Sequence, residues 1–154
     1  AVIESNNSRK FKMVRKIEEA SDNDVSNKKI AILGLSFKSN TDDIRDSAAL
    51  VIIRELINKN ASISAFDPQA MDETKRIYGD RDDLILCDTM YDALTGADGL
   101  AIVTEWEVFR SPDFEKMAST LEGKNVFDGR NLYEPQEMEE RGFAYYGIGR
   151  GRIA

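Results

Sequence analysis

The chain has 154 residues, 42% of them hydrophobic and 32% charged, which is enough for one full core and an ordinary soluble composition. A formal net charge of −7 and a pI near 4.7 argue against a nucleic-acid binder, and no stretch has the apolar length of a membrane span. One cysteine leaves no internal disulfide and points to a reducing, cytoplasmic setting; the absence of histidine removes the commonest general base and metal ligand.

The chain starts at Ala1 rather than methionine, so it is expected to be a piece of something longer; its polar N-terminus does not read as a signal peptide. Residues 2–20 read as a helix with Ile3, Val14 and Ile17 on an apolar stripe. Arg9, Lys10, Lys12, Arg15 and Lys16 read as its solvated face. The polar run 21–27 has no period and is the candidate domain boundary, dividing 1–24 from 28–154.

Beyond it, short apolar runs alternate with helical patterns. Strands are predicted at 29–35, 62–66, 84–87, 99–103, 125–127 and 143–147. Helices are predicted at 47–59, 71–78, 91–94, 113–121 and 135–141. Asp46 or Ser47 is placed to cap the first of these helices, Gly79 to close the second, and Pro135 to open the last. Continuous apolar strands between helices predict a doubly wound, mostly parallel, Rossmann-like α/β sheet covered on both faces and preceded by an N-terminal helix.

The most informative segment follows the first strand. Gly34-Leu35-Ser36-Phe37-Lys38-Ser39-Asn40-Thr41-Asp42-Asp43-Ile44-Arg45-Asp46-Ser47 leads from a strand's carboxyl end into a helix N-terminus. Free N–H groups and the positive end of the helix dipole favour an anion there, and Lys38 and Arg45 add two cations. The dinucleotide fingerprint G-x-G-x-x-G is absent, so backbone cannot approach a pyrophosphate as closely. Phosphate contact falls to Lys38, and Phe37 is available to stack on a base; a charged loop without a ligand is the competing reading.

Three further loops leave two readings each. Asp67 stands where a Rossmann domain places a ribose-binding acid, yet Asp67-Pro68 reads first as a turn. Glu105 and Trp106 after the fourth strand are a ligand contact or, equally, a solvated acid and a packing residue. Arg130, lifted by the turn at Gly129, grips a phosphate in two-pronged fashion or pairs with Asp128 or a nearby acid. Cys87, beside Asp88 and with no histidine to activate it, reads as a core residue. No carboxylate cluster has metal-ligand spacing.

Taken together, the loop 34–47, Phe66-Asp67-Pro68, Thr104-Glu105-Trp106, Phe127-Asp128-Gly129-Arg130-Asn131 and Tyr145-Tyr146-Gly147-Ile148-Gly149-Arg150 resemble the C-terminal domain of the UDP-glucose/GDP-mannose dehydrogenase family. The resemblance covers nearly all of 29–150, and residues 1–20 resemble the end of the long helix joining this domain to the rest. It implies an NAD-dependent oxidoreductase, working in polysaccharide biosynthesis, that oxidises the C6 alcohol of a nucleotide sugar to a carboxylate with two NAD molecules in succession. Implied partners are an N-terminal NAD-binding domain, a central dimer-forming helical domain and a UDP-sugar substrate. By the family pattern Phe37, Lys38 and Arg130 contact the substrate, and Arg45 reaches the NAD held by another domain.

The resemblance also marks what is missing. The family's catalytic cysteine lies in a glycine-rich central segment, and Cys87 is in the wrong context for it. The catalytic lysine and the first Gly-rich NAD loop have no counterpart here. No catalytic residue is therefore assigned, and the chain alone is expected to bind without turnover. The sugar is not named: UDP-glucose, UDP-N-acetylmannosamine and GDP-mannose enzymes share this domain. A non-catalytic interaction module on the same scaffold is the alternative.

Overall fold

The computed structural model describes residues 2–148 and 152–153. Helix α1 (Val2–Ala20) leads into β1 (Lys29–Leu33), α2 (Ala48–Asn58), β2 (Ser62–Phe66), α3 (Met71–Tyr78) and β3 (Leu84–Leu86). Then come α4 (Met90–Leu94), β4 (Gly99–Ile102), a 3₁₀ turn (Glu107–Phe109), α5 (Phe114–Thr120), β5 (Asn125–Asp128), α6 (Pro135–Glu140), β6 (Ala144–Gly147) and β7 (Arg152–Ile153). The sheet order is β3-β2-β1-β4-β5-β6-β7, parallel throughout except that β7 runs antiparallel to β6. The doubly wound α/β architecture expected from sequence is therefore present.

Each strand divides its residues between two cores, because successive side chains point to opposite faces. Ile30 and Ile32 of β1 join Ile52, Ile53 and Leu56 of α2 on one face. Ala31 and Leu33 join Leu94, Leu100, Phe109, Met117 and Met138 on the other. Nearly every central-strand residue is consequently apolar, which is why the strands carry no alternating pattern.

Helix α1 packs on the first face through Met13, Val14 and Ile17, and Val25 of the following segment is buried with them. The cations Lys12, Arg15 and Lys16 lie off that stripe, Lys16 pairing with Glu19 at 3.0 Å. The side chains of Ile3, Arg9 and Lys10, and all of Gly149 and Arg150, lie outside what is described. No helix among the described residues is long and apolar enough to cross a membrane.

Helix starts follow ordinary capping chemistry. Ser47 accepts the Ala49 N–H, Thr89 the Asp92 N–H and Asp113 the Lys116 N–H. Two elements escape sequence reading: a three-residue 3₁₀ turn and a two-residue strand are too short to show any period.

Candidate functional site

The strand order reverses between β1 and β4, the switch point where open α/β sheets bind ligands beyond their carboxyl ends. The loop after β1 lies directly against the start of the loop after β4. Gly34 has φ +101°, and a Cβ there would stand 2.5 Å from both Thr104 N and Thr104 Cβ. Thr104 Oγ1 then donates to the Ser36 carbonyl at 2.8 Å.

A buried carboxylate stitches three loops together beneath this crevice. Asp67 is 1% exposed. Its Oδ2 accepts the Leu35 N–H (2.8 Å), the Ser36 N–H (3.0 Å), the Ser36 hydroxyl (2.8 Å) and the Trp106 indole N–H (3.0 Å). Its Oδ1 accepts the Gln69 and Ala70 N–H groups at 2.8 and 2.9 Å. Burial pushes its pKa up, but these donors outweigh burial and hold it below the ordinary value. The turn reading of Asp67 is thus half of its role. The ribose-acid reading fails, because its acceptor sites are taken and it is closed to solvent. Trp106, 6% exposed, is a packing residue with one polar bond to make.

A second buried carboxylate does the same work one loop further on. Asp128, the last residue of β5, has no exposed surface. Its Oδ1 accepts the Arg130 N–H at 3.0 Å, and its Oδ2 accepts the Tyr133 N–H at 3.0 Å and the Tyr145 hydroxyl at 2.7 Å. Burial raises the Tyr133 hydroxyl pKa far above its usual value, with Asp128 adding to the effect. Neither Asp67 nor Asp128 stands out in the sequence as a buried hub. The available signal was an aspartate closing an apolar parallel strand, where N–H groups of neighbouring loops converge.

Upon this frame stand the four residues expected to meet ligands. Leu35 and Ile44 anchor the loop 34–47 in the core, and the Phe37 N–H donates to the Asp43 carbonyl at 2.7 Å. That leaves Phe37 57% exposed and Lys38 exposed beside it. Among the described residues Lys38 enters no ion pair. Arg45 is held by Asp43 through both carboxylate oxygens, Nε to Oδ1 at 3.2 Å and Nη2 to Oδ2 at 3.1 Å. The hydrogen bonds from Arg45 hold the Asp43 carboxyl below its ordinary value. Phe37, Asp43, Arg45 and Asp46 line one shallow depression of about 180 Å³.

Arg130 rises after β5, two strands from β1 and so about 10 Å across the same edge. Its guanidinium pairs not with Asp128 but with Glu105, Nη2 to Oε1 at 2.5 Å. Glu105 is therefore an ion-pair partner rather than a simply solvated acid. Cys87 is half-buried against the second core, and burial, more than Asp88, pushes its thiol pKa up. An inert thiol suits that environment. Among the described residues no group of three or more acids or cysteines is placed to hold a metal ion.

The carboxyl edge thus carries exposed cations, two of them paired with acids, and one exposed aromatic ring, on loops braced from below by buried carboxylates. The model of the UDP-glucose/GDP-mannose dehydrogenase family, UDP binding domain, matches residues 31–135. A UDP-glucose 6-dehydrogenase of Rhizobium meliloti is 39% identical over 145 residues, 94% of this chain and 32% of the relative. Another, from Pseudomonas aeruginosa, is 42% identical over 126 residues, 80% of this chain and 28% of the relative. A UDP-glucose dehydrogenase structure from Pyrobaculum islandicum superposes with a TM-score of 0.79 at 27% identity, over 96% of this chain and 31% of that one. The chain spans about a third of the length of these relatives.

Proposed function

Because the chain belongs to the UDP-glucose/GDP-mannose dehydrogenase family and carries its UDP-binding domain, we propose that it anchors the nucleotide diphosphate of a UDP-sugar within an NAD-dependent UDP-glucose 6-dehydrogenase. The whole enzyme would oxidise the C6 alcohol of UDP-glucose to the carboxylate of UDP-glucuronate in the cytoplasm, as a homodimer. The observation that carries the reading is the placement of Lys38 and Arg130 on loops at one carboxyl edge. Lys38 supplies a point charge and Arg130 a planar fork, a pairing that suits two adjacent phosphates. Phe37, exposed beside Lys38, offers a ring face to the nucleotide.

The task of this chain is orientation. A diphosphate held at its rim fixes where the sugar's C6 lies, and such positioning accounts for much of a two-partner reaction's rate. NAD, held by another domain, supplies the hydride acceptor. Arg45 fits an outer contact to it: its side chain is 87% exposed. The loop after β1 lacks the G-x-G-x-x-G fingerprint that would hold a dinucleotide there. Residues 1–24 are assigned to the end of the linking helix and 28–154 to the nucleotide-sugar domain.

Calorimetry of this chain with UDP, UDP-glucose and GDP-mannose tests the assignment. UDP and UDP-glucose are expected to bind and GDP-mannose to bind less well. Lys38→Ala and Arg130→Ala are each expected to weaken UDP by about tenfold or more, the usual worth of a charge-assisted contact. Unchanged affinity in both variants removes these residues from the site, and no binding of any nucleotide by the parent chain leaves the interaction-module reading in place.

A further inference from the structure

We propose, resting on the reading of Arg130 as a diphosphate contact, that Glu105 sets the affinity of this rim by occupying the guanidinium that the diphosphate needs. Parallel pairing brings the two residues together. Ile102 of β4 is in register with Asp128 of β5, so Glu105 and Arg130 leave their strands side by side. The buried Asp128 fixes the Arg130 backbone, and the buried Asp67 holds Trp106, the residue after Glu105, by its indole N–H. Between these anchors the Glu105 carboxylate meets Arg130 Nη2 at 2.5 Å.

Glu105 has a second cation in reach. Its Oε2 lies 3.8 Å from Arg110 Nη2, while Arg110 Nε lies 3.5 Å from Glu107. The carboxylate therefore stands between two guanidiniums, with much the shorter contact to Arg130. A phosphate gripping Arg130 would come within roughly 6 Å of Glu105, where like charges repel appreciably at a protein surface. The anion and Glu105 thus compete for one fork, and Arg110, which Glu107 already engages, compensates the displaced carboxylate only in part. Lys38 has no such rival among the described residues, so it offers the ligand its first contact and Arg130 its exchanged one.

The sign of one substitution tests the proposal. Glu105→Gln keeps the side chain's size and removes its charge, and it is expected to tighten UDP binding to this chain by about two- to fivefold in low-salt calorimetry. The gain is expected to vanish in the Glu105→Gln/Arg130→Ala double variant, because the competition acts through Arg130. Glu105→Ala repeats the test, with thermal melts confirming that each variant is folded. If Arg130→Ala weakens UDP but Glu105→Gln leaves it unchanged or weaker, Glu105 is an idle or supporting neighbour; the proposal is overturned and the diphosphate site stands. If Arg130→Ala binds UDP as the parent does, the site assignment itself falls, and the proposal with it.

Discussion

Asp67→Asn is expected to lower the unfolding free energy by about 3–5 kcal/mol, because at least two converging donors lose their acceptor at about 1–3 kcal/mol each. Four donors converge on Oδ2 and two on Oδ1. An asparagine must aim its own NH₂ at one of these sets, so donors face donors whichever way the amide turns. For a domain of this size the melting temperature should fall by roughly 8–15 °C. UDP affinity should fall with it, since Asp67 holds the backbone of Leu35 and Ser36 directly beneath Phe37 and Lys38. Chemical denaturation and calorimetry on the same variant measure both effects.

The pH dependence has a definite sign. Asp67 titrates lower in the folded chain than its ordinary value near 3.8, so below that value the unfolded chain binds the proton first. Its contribution is fully present above that ordinary value and is lost as pH falls through the lower folded one. The asparagine variant has nothing to lose there. Its stability should therefore decline less steeply with acid below about pH 4 than that of the parent. An equal acid slope in the two proteins would show that Asp67 is not held as a carboxylate. Trp106, the single tryptophan of the chain, reports on the same network: its indole N–H is shared between Asp67 and Ser36, and its emission should shift in the variant.

How far the sequence was legible follows from how local each signal is. The strand Ser62–Phe66 and the helix Met71–Tyr78 have the limits expected from periodicity, because apolar spacing and Gly79 mark them within a few residues. The parallel, doubly wound character of the sheet needed only the alternation of types; the order of the strands came from the structure. The cations proposed for the site were visible as residues, and the loops that carry them do leave one edge of the sheet. Their partners were not visible. Trp106 meets Asp67 across 39 positions and Arg130 meets Glu105 across 25, and no local pattern encodes such distances. Asp67-Pro68 carries a strong turn signal that is true of Oδ1 and silent about Oδ2. Asp128 reads as a loop acid, yet it ends β5 inside the core because three donors converge on it.

Gly34→Ala is expected to be about as damaging as the loss of Asp67, by a wholly different route. At φ +101° an L residue is strained, at about 1–3 kcal/mol. Its methyl group would also meet Thr104 N, Cβ and Oγ1 at 2.5–2.6 Å, and a backbone nitrogen two residues past the end of β4 cannot step aside as the end of a flexible side chain can. Strain and overlap together suggest a loss of roughly 2–6 kcal/mol. Gly96→Ala separates the two contributions, since Gly96 has φ +71° with nothing within 4 Å of its Cβ position. It should show the strain alone and leave UDP binding untouched. Gly34→Ala should in addition push the loop after β1 off the loop after β4, breaking the Thr104 bond to the Ser36 carbonyl and displacing Lys38 from the rim. If the two alanine variants are equally stable and bind UDP equally well, the close approach of these loops is not what shapes the site.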